Sequence, residues 1–229
     1  EPGIISSNEQ AMTGLEMEKL SDEQFEKVIE HVFVYARVQP EHKTRIVNTW
    51  KKKGKVVAMT GDGVNDAPSI KSADIGIGMG ITGTEVTKNV ADMVLQDDNF
   101  ATITVAIEEG RKIYDNIKKA IQFLLASNFA EVIAIFIATL CGFTLLEPTH
   151  LLWINLITDS LPALALGLEQ GEADIMKRKP RSEKEGLFAN GMALDIFVQG
   201  LLIGLITLTS YLIGHYMETG HFNVDGVSY

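Results

Sequence analysis

The chain has 229 residues, room for one or two compact units, and a formal net charge of -10 that leaves no basic face for neutralising phosphates, which excludes a nucleic-acid binder. Its one cysteine, Cys141, excludes an intramolecular disulfide framework and a cysteine-rich zinc site. Hydrophobic residues make up 46% of the whole, but nearly all the long apolar runs fall after residue 120, a gradient that predicts a soluble α/β unit followed by membrane helices.

Glu1 to Gln10 lacks the basic start and apolar core of a secretory signal. In chain order, Val32 to Val38 reads as a buried strand and His42 to Lys53 as a helix ended by Gly54. Val56 to Thr60 (VVAMT) is a second apolar strand, opening directly into GDGVNDAP at 61–68. A helix through Ser69 to Ala73, a strand at Ile75 to Met79, a helix near Glu85 to Asn89 and a strand at Met93 to Leu95 continue the alternation. Strands alternating with helices predict a parallel, doubly wound sheet. Asn99 to Ala120 is helical by pattern and runs without a breaker into the first apolar run.

The loop after VVAMT is the chemical centre, because open α/β sheets place ligands at the carboxyl ends of parallel strands. Asp62 and Asp66 bracket Asn65, with Gly61 and Gly63 permitting a tight turn. Paired carboxylates there suit Mg²⁺, held by one or two carboxylates plus phosphate oxygens. Lys43, on the preceding helix, is placed to neutralise a phosphoryl group. The plainer readings are a turn and helix start for NDAP and a solvated lysine for Lys43. Gly76, Gly78 and Gly80 are spaced GxGxG, which is weak as a dinucleotide signature and reads better as strand packing.

Three apolar segments follow, at about 121–146, 151–168 and 192–217. Arg111, Lys112, Lys118 and Lys119 precede the first, and Lys177, Arg178, Lys179, Arg181 and Lys184 lie between the second and third. Glu147 to His150 and the tail from Glu218 carry no Lys or Arg. The positive-inside rule then puts 1–120 and 169–191 in the cytoplasm. The expected domains are 1–112, cytoplasmic, and 113–229, transmembrane. Within the spans, Asn128 and Glu131 share a helix face, as do Asn155, Thr158 and Asp159. Intramembrane carboxylates face a pathway or each other, and an all-oxygen donor set suits a hard cation such as Ca²⁺. Pro162 and Gly167 allow local unwinding. Interhelical hydrogen bonding is the plainer alternative.

TGDGVNDAP at 60–68 closely resembles the hinge signature of P-type ATPases, whose phosphorylation domain is haloacid-dehalogenase-like. ARVQPEHKTRIV (36–47), MVLQDDNF (93–100) and EEGRKIYDNIKK (108–119) also look like that family. SNFAE (127–131) and NLITDSLPALALG (155–167) resemble the fifth and sixth membrane helices of calcium pumps of the sarco/endoplasmic-reticulum type. The resemblance implies a haloacid-dehalogenase-like, Rossmannoid α/β phosphorylation-domain portion followed by three transmembrane α-helices. It implies Mg²⁺ on Asp62, a phosphoryl group organised by Asn65, Asp66 and Lys43, ATP as substrate and Ca²⁺ as transported ion. Asn128, Glu131, Thr158 and Asp159 match the ligands of one calcium site, and Asn155 with Asp159 those of a second. No DKTGT, TGES or PEGL occurs. The chain is therefore expected to be an inactive internal piece of a pump, probed against two alternatives: a truncated scaffold or regulator, and a pump for Mn²⁺, Mg²⁺ or Na⁺. Its expected partners are the lipid bilayer and the actuator, nucleotide-binding and other membrane segments of the same pump, and its expected location is a bacterial plasma membrane.

Overall fold

A computed structural model describes residues 10–182 and 185–222; Lys184, counted among the loop cations above, lies outside them. The chain divides into two compact units, Glu1–Val105 and Ala106–Tyr229.

In the first unit, β1 (Ala11–Thr13) leads into α1 (Gly14–Glu18) and α2 (Asp22–Val28). Both helices start on capping boxes that sequence reading passed over. Thr13 exchanges hydrogen bonds with Glu16, and Ser21 does so with Gln24. The patterns TGLE and SDEQ were the available signal. Strand β2 (Val34–Ala36) pairs parallel with β1, Met12 opposite Tyr35. It is shorter than the expected Val32–Val38: the Val32 N–H closes a turn onto Ile29 O, and Arg37 ends the strand at φ 53°. Helix α3 (Pro40–Lys52) begins with proline in its first turn, where a missing N–H costs nothing. Met17, Phe25 and Ile29 form the core beneath it, with Tyr35, Ile46 and Trp50 packed around.

Strands β3 (Ala58–Gly61), β4 (Ile75–Met79) and β5 (Met93–Leu95) form a parallel sheet in that order. Two crossover helices, α4 (Ala67–Ser72) and α5 (Glu85–Val90), pack on each other. Right-handed crossovers between sequential neighbours put both on one face. The strands thus fall in two parallel sheets, not the single sheet expected. Strand β3 starts late because Asp74 captures Val57: its carboxylate accepts the Val57 N–H at 2.9 Å and its own N–H donates to Val57 O at 3.0 Å. Gly76 and Gly80 serve packing, since a Cβ would lie 2.7 Å from Ile70 Cγ2 at the first and 2.5 Å from Leu95 O at the second. Ile77, Met79 and Leu95 make this sheet's core.

Helix α6 (Ala101–Leu140) is 40 residues long, about 60 Å at the usual rise. It ends six residues before the expected 146. Gly142 at φ 82° and bonds from Phe143 N to Ala138 O and Gly142 N to Thr139 O form a Schellman cap. That cap folds Phe143 back onto Ala134, Ala138 and Leu208. The second apolar run is broken into α7 (Pro148–Trp153), a π-helical turn at Ile154–Asp159, and α8 (Ser160–Gly167). The third is α9 (Met192–Thr219), entered and left through glycines in the left-handed region. Helices α6 and α9 are each long and apolar enough to cross a membrane, each with an 18-residue stretch of mean hydropathy 2.0.

Small residues bring α6 and α9 together. Ala126, Ala130, Ala134 and Ala138 are buried at every fourth position of α6, facing buried Gly200 and Gly204 of α9. A Cβ on Gly200 would come within 2.9 Å of Ala126 O. Between α8 and α9 the loop folds onto the start of the second unit's α6: Asn116 donates to Glu169 O at 2.8 Å and Arg111 to Ile175 O at 2.8 Å, while Arg178 pairs with Asp115, Glu172 and Asp174.

Candidate functional site

The loop that follows β3 is held by its own backbone. Asp66 N–H donates to Gly63 O at 2.9 Å, closing the 3₁₀ turn Val64–Asp66, and Ser69 Oγ donates to Asp66 O at 2.8 Å. The Asp66 side chain is turned inward, 6% exposed. One of its oxygens is ion-paired to Lys43 Nζ, and the other accepts the Gly63 N–H at 3.4 Å. Gly61 is required for this inward turn, because a Cβ there would sit 2.4 Å from the Asp66 Cβ. Lys43, which taken alone reads as surface, is thus brought from α3 to the loop.

Asp62 and Asn65 point the other way. Both are exposed, and among the described residues their side chains make no hydrogen bond or ion pair. The Asp62 backbone is fixed, with its carbonyl accepting the Thr84 N–H at 2.9 Å beside the start of α5. Asp62 therefore offers a free carboxylate at a strand's carboxyl end, on the loop whose Asp66 is paired to Lys43 of α3. That donor set fits Mg²⁺, which takes one or two carboxylates and completes its shell with water and phosphate oxygens. No group of three or more His, Cys, Asp or Glu gathers among the described residues, so a closed all-protein metal cage is not what is built here.

A supporting contact was not foreseen. Asp98, at φ 50°, accepts the Ile81 and Thr82 N–H groups at 3.0 and 2.7 Å and the Thr82 hydroxyl at 2.7 Å. These bonds, the Ile81 N–H first, hold its carboxyl down at about 2. The signal was the second Asp of MVLQDDNF, a residue type that tolerates the left-handed region and caps loops.

In the second unit, Glu131 of α6 and Asn155 of the π-helical turn meet: Asn155 Nδ2 donates to Glu131 Oε2 at 3.1 Å and to Leu151 O at 3.0 Å. Asp159 is 3% exposed, on the same turn. Glu131 Oε1 and Asp159 Oδ2 are both buried without a hydrogen-bond partner. The other two members of the expected set stand apart. Asn128 bonds its own helix at Leu124 O, 2.9 Å away, and lines a shallow groove with Leu125, Val132 and Ile196. Thr158 is exposed.

The π-helical turn lies just before Pro162, not at it. Proline has no N–H for the Thr158 carbonyl, and its ring crowds that carbonyl, so the helix widens over the preceding residues. Ser160 Oγ donates to Asn155 O at 3.0 Å, a further bond onto the widened turn. Inserted turns of this kind mark functional positions in helices.

Residues 1–74 match the haloacid dehalogenase-like hydrolases and residues 143–226 match the family described as cation transporting ATPase, C-terminus. The chain thus joins a part similar to haloacid dehalogenase-like hydrolases to a part similar to the C-terminal region of cation-transporting ATPases. Over 98% of its length it is 52% identical to "Calcium-transporting ATPase 1" of Bacillus cereus, and over 99% it is 49% identical to "Calcium-transporting ATPase" of Bacillus subtilis. Over 92% it is 45% identical to "Endoplasmic reticulum calcium ATPase srcA" of Aspergillus fumigatus. The chain belongs to the P-type cation-transporting ATPases and is an integral membrane protein. It spans about a quarter of the length of these relatives, 25%, 25% and 22% respectively.

Proposed function

We propose that this chain is the segment of an ATP-driven Ca²⁺ pump in which a phosphoryl site and an intramembrane cation site lie on one polypeptide. The observation that carries the reading is the pair of buried, unpartnered carboxylate oxygens on Glu131 and Asp159. Uncompensated carboxylates at membrane depth are costly, and a cation relieves both at once. Calcium-transporting relatives of 45–52% identity support Ca²⁺ as that ion.

In this reading, residues to about 112 belong to the phosphorylation domain and those from 113 to the transmembrane domain. Lys43 and Asp66 orient the phosphoryl group and Asn65 hydrogen-bonds it. Asp62 holds Mg²⁺, which when bound neutralises charge on the transferring oxygens. The acceptor aspartate, the nucleotide-binding and actuator segments and the remaining membrane helices come from other parts of the pump. Glu131, Asn155 and Asp159 form the nucleus of the cation site. Asn128 and Thr158 join it when neighbouring membrane segments close the groove, giving one site from Asn128, Glu131, Thr158 and Asp159 and a second from Asn155 and Asp159. The membrane is a bacterial plasma membrane, with 1–120 and 169–191 cytoplasmic.

Equilibrium ⁴⁵Ca²⁺ binding to the complete pump in vesicles, with Mn²⁺, Mg²⁺ and Na⁺ as competitors, tests the ion and the site together. Glu131→Gln and Asp159→Asn should each weaken Ca²⁺ binding while phosphorylation from inorganic phosphate persists. Unchanged Ca²⁺ affinity in both would overturn the site, and displacement by a competitor at lower concentration than Ca²⁺ would overturn the ion. The 229-residue chain alone should show no Mg²⁺-dependent ATP hydrolysis.

A further inference from the structure

We infer that Glu18 and His42 are positioning residues for Lys43, a role that rests on the phosphoryl-site reading above. His42 is 7% exposed and sits at the third position of α3, immediately before Lys43. Its Nδ1 accepts the N–H of Gln39, the residue that caps α3, at 3.1 Å. A nitrogen that accepts carries no proton, so in the neutral ring the proton is on Nε2. That nitrogen lies 3.1 Å from Glu18 Oε1, at the end of α1. The Glu18 carboxylate is an acceptor only, and so it selects the one tautomer that leaves Nδ1 free to cap the helix.

The packing leaves the ring no other place. Gly14, at the start of α1, faces it so closely that a Cβ would lie 2.8 Å from Nδ1 and 2.7 Å from Arg37 O. The first turn of α3 is therefore fixed through a side chain from α1, and the next residue along that turn is the lysine that reaches Asp66. Helix ends fray where their N–H groups lack acceptors. A frayed first turn would swing Lys43 Nζ off the phosphoryl position, because a long side chain amplifies a small rotation at its root. Among the described residues, Glu18 makes no hydrogen bond or ion pair to Asp66 or to the loop 61–66; its bond is to His42. Its effect on the site passes entirely through the imidazole and the cap.

The dyad predicts a separation that a merely structural contact would not produce. Glu18 is half exposed, so Glu18→Ala should fold, and Glu18→Gln keeps an oxygen that accepts from Nε2–H. In the complete pump, inhibition of ATP hydrolysis by inorganic phosphate should weaken on the order of tenfold in Glu18→Ala and return to nearly the native value in Glu18→Gln. The KM for ATP should be unchanged in both. In the 229-residue chain, ¹⁵N NMR of the His42 ring should show the Nε2–H tautomer in the native and Glu18→Gln forms and a tautomer mixture in Glu18→Ala. Lys43→Ala serves as the control for the underlying reading. If it leaves phosphate affinity intact, the phosphoryl-site assignment fails. If it weakens phosphate while Glu18→Ala does not, or if the Glu18→Ala ring keeps a single tautomer, the positioning role alone is overturned.

Discussion

The loop after β3 and the carboxylates of the second unit set the same kind of side chain in opposite surroundings. Asp66 is buried and closed: a lysine takes one oxygen and a backbone N–H approaches the other. Asp159 is as deeply buried, yet one oxygen has no partner, and Glu131 beside it repeats the pattern. The hydrogen bonds and the ion pair that hold Asp66 come from residues 43–69 of one α/β unit. The membrane site has two helices, one amide bridging them, and oxygens left over. In the proposed reading, a carboxylate that orients a phosphoryl group is held in place by resident donors. In the same reading, a carboxylate that binds and releases a cation has its donors withheld. Burial alone does not distinguish the two; the count of unmet lone pairs does.

The largest effect should come from breaking the open site. Asp159→Asn removes the charge that both proposed sites share, and Ca²⁺ affinity of the complete pump should fall about 100-fold, or about 2.7 kcal/mol, measured by ⁴⁵Ca²⁺ binding. Asn128→Ala should cost far less than Glu131→Gln, because Asn128 bonds its own helix and not the carboxylates. Equal losses would show that Asn128 already belongs to the site the two carboxylates form. The closed site breaks by a different route. Gly61→Ala forces a Cβ to within 2.4 Å of the Asp66 Cβ, and a Cβ cannot rotate away as a side-chain tip can. We expect a loss of about 2 kcal/mol in the stability of the first unit, read by denaturant unfolding.

The two regions also differ in how much of them the sequence disclosed. The elements around GDGVNDAP follow apolar runs broken by glycine, and β4 and β5 fall where the alternation put them. Lys43 and Asp66 lie 23 positions apart, and no periodicity links them; only the fold of α3 against the loop brings the ion pair about. Residues 11–31 escaped because they carry short helices set by capping boxes and not by long hydrophobic periods. In the membrane, spacing placed Asn128 and Glu131 on one face, but a face is broad. A rotation of 60° between them sends one to Asn155 and the other to a groove toward α9. Pro162 foretold a break in the second span, though not that the widened turn would precede it and carry Asn155, Thr158 and Asp159.

Helix pairing in the membrane was legible and passed unread. Alanines at every fourth position from 126 to 138 and the Gly200-x-x-x-Gly204 step announce close backbone approach. Gly200→Ala would set a Cβ 2.6 Å from Phe129 Cδ1 and 2.9 Å from Ala126 O. The ring can swing aside but the carbonyl cannot, so α9 should shift outward at a cost of about 1 kcal/mol. Gly204→Ala meets Ala130 O at a looser 3.2 Å and should cost less. Thermal unfolding in detergent, followed by far-UV circular dichroism, orders the two. A larger loss at Gly204 would mean that α6 and α9 are in closest contact one turn further along.

The smallest effect concerns a carboxylate that belongs to neither region's chemistry but holds the loop after β4. Asp98 has its carboxyl lowered from 3.8 to about 2, first by the Ile81 N–H and then by Thr82. A group whose folded pKa is depressed binds protons more readily when unfolded, so stability rises with pH wherever the unfolded chain is the more protonated. The contribution of Asp98 is therefore complete above about pH 4 and is lost as pH falls toward 2. Because Asp98 is only partly buried, solvent screens its carboxylate, and the slope should be shallow and should flatten further in salt. Asp98→Asn keeps one acceptor for the Ile81 or Thr82 N–H but cannot titrate. Its midpoint of unfolding should lie below the native value at pH 5 and converge with it near pH 2. A gap that instead stayed constant across that range would mean the carboxylate's charge adds nothing, and that the loop is held by the left-handed turn at residue 98 alone.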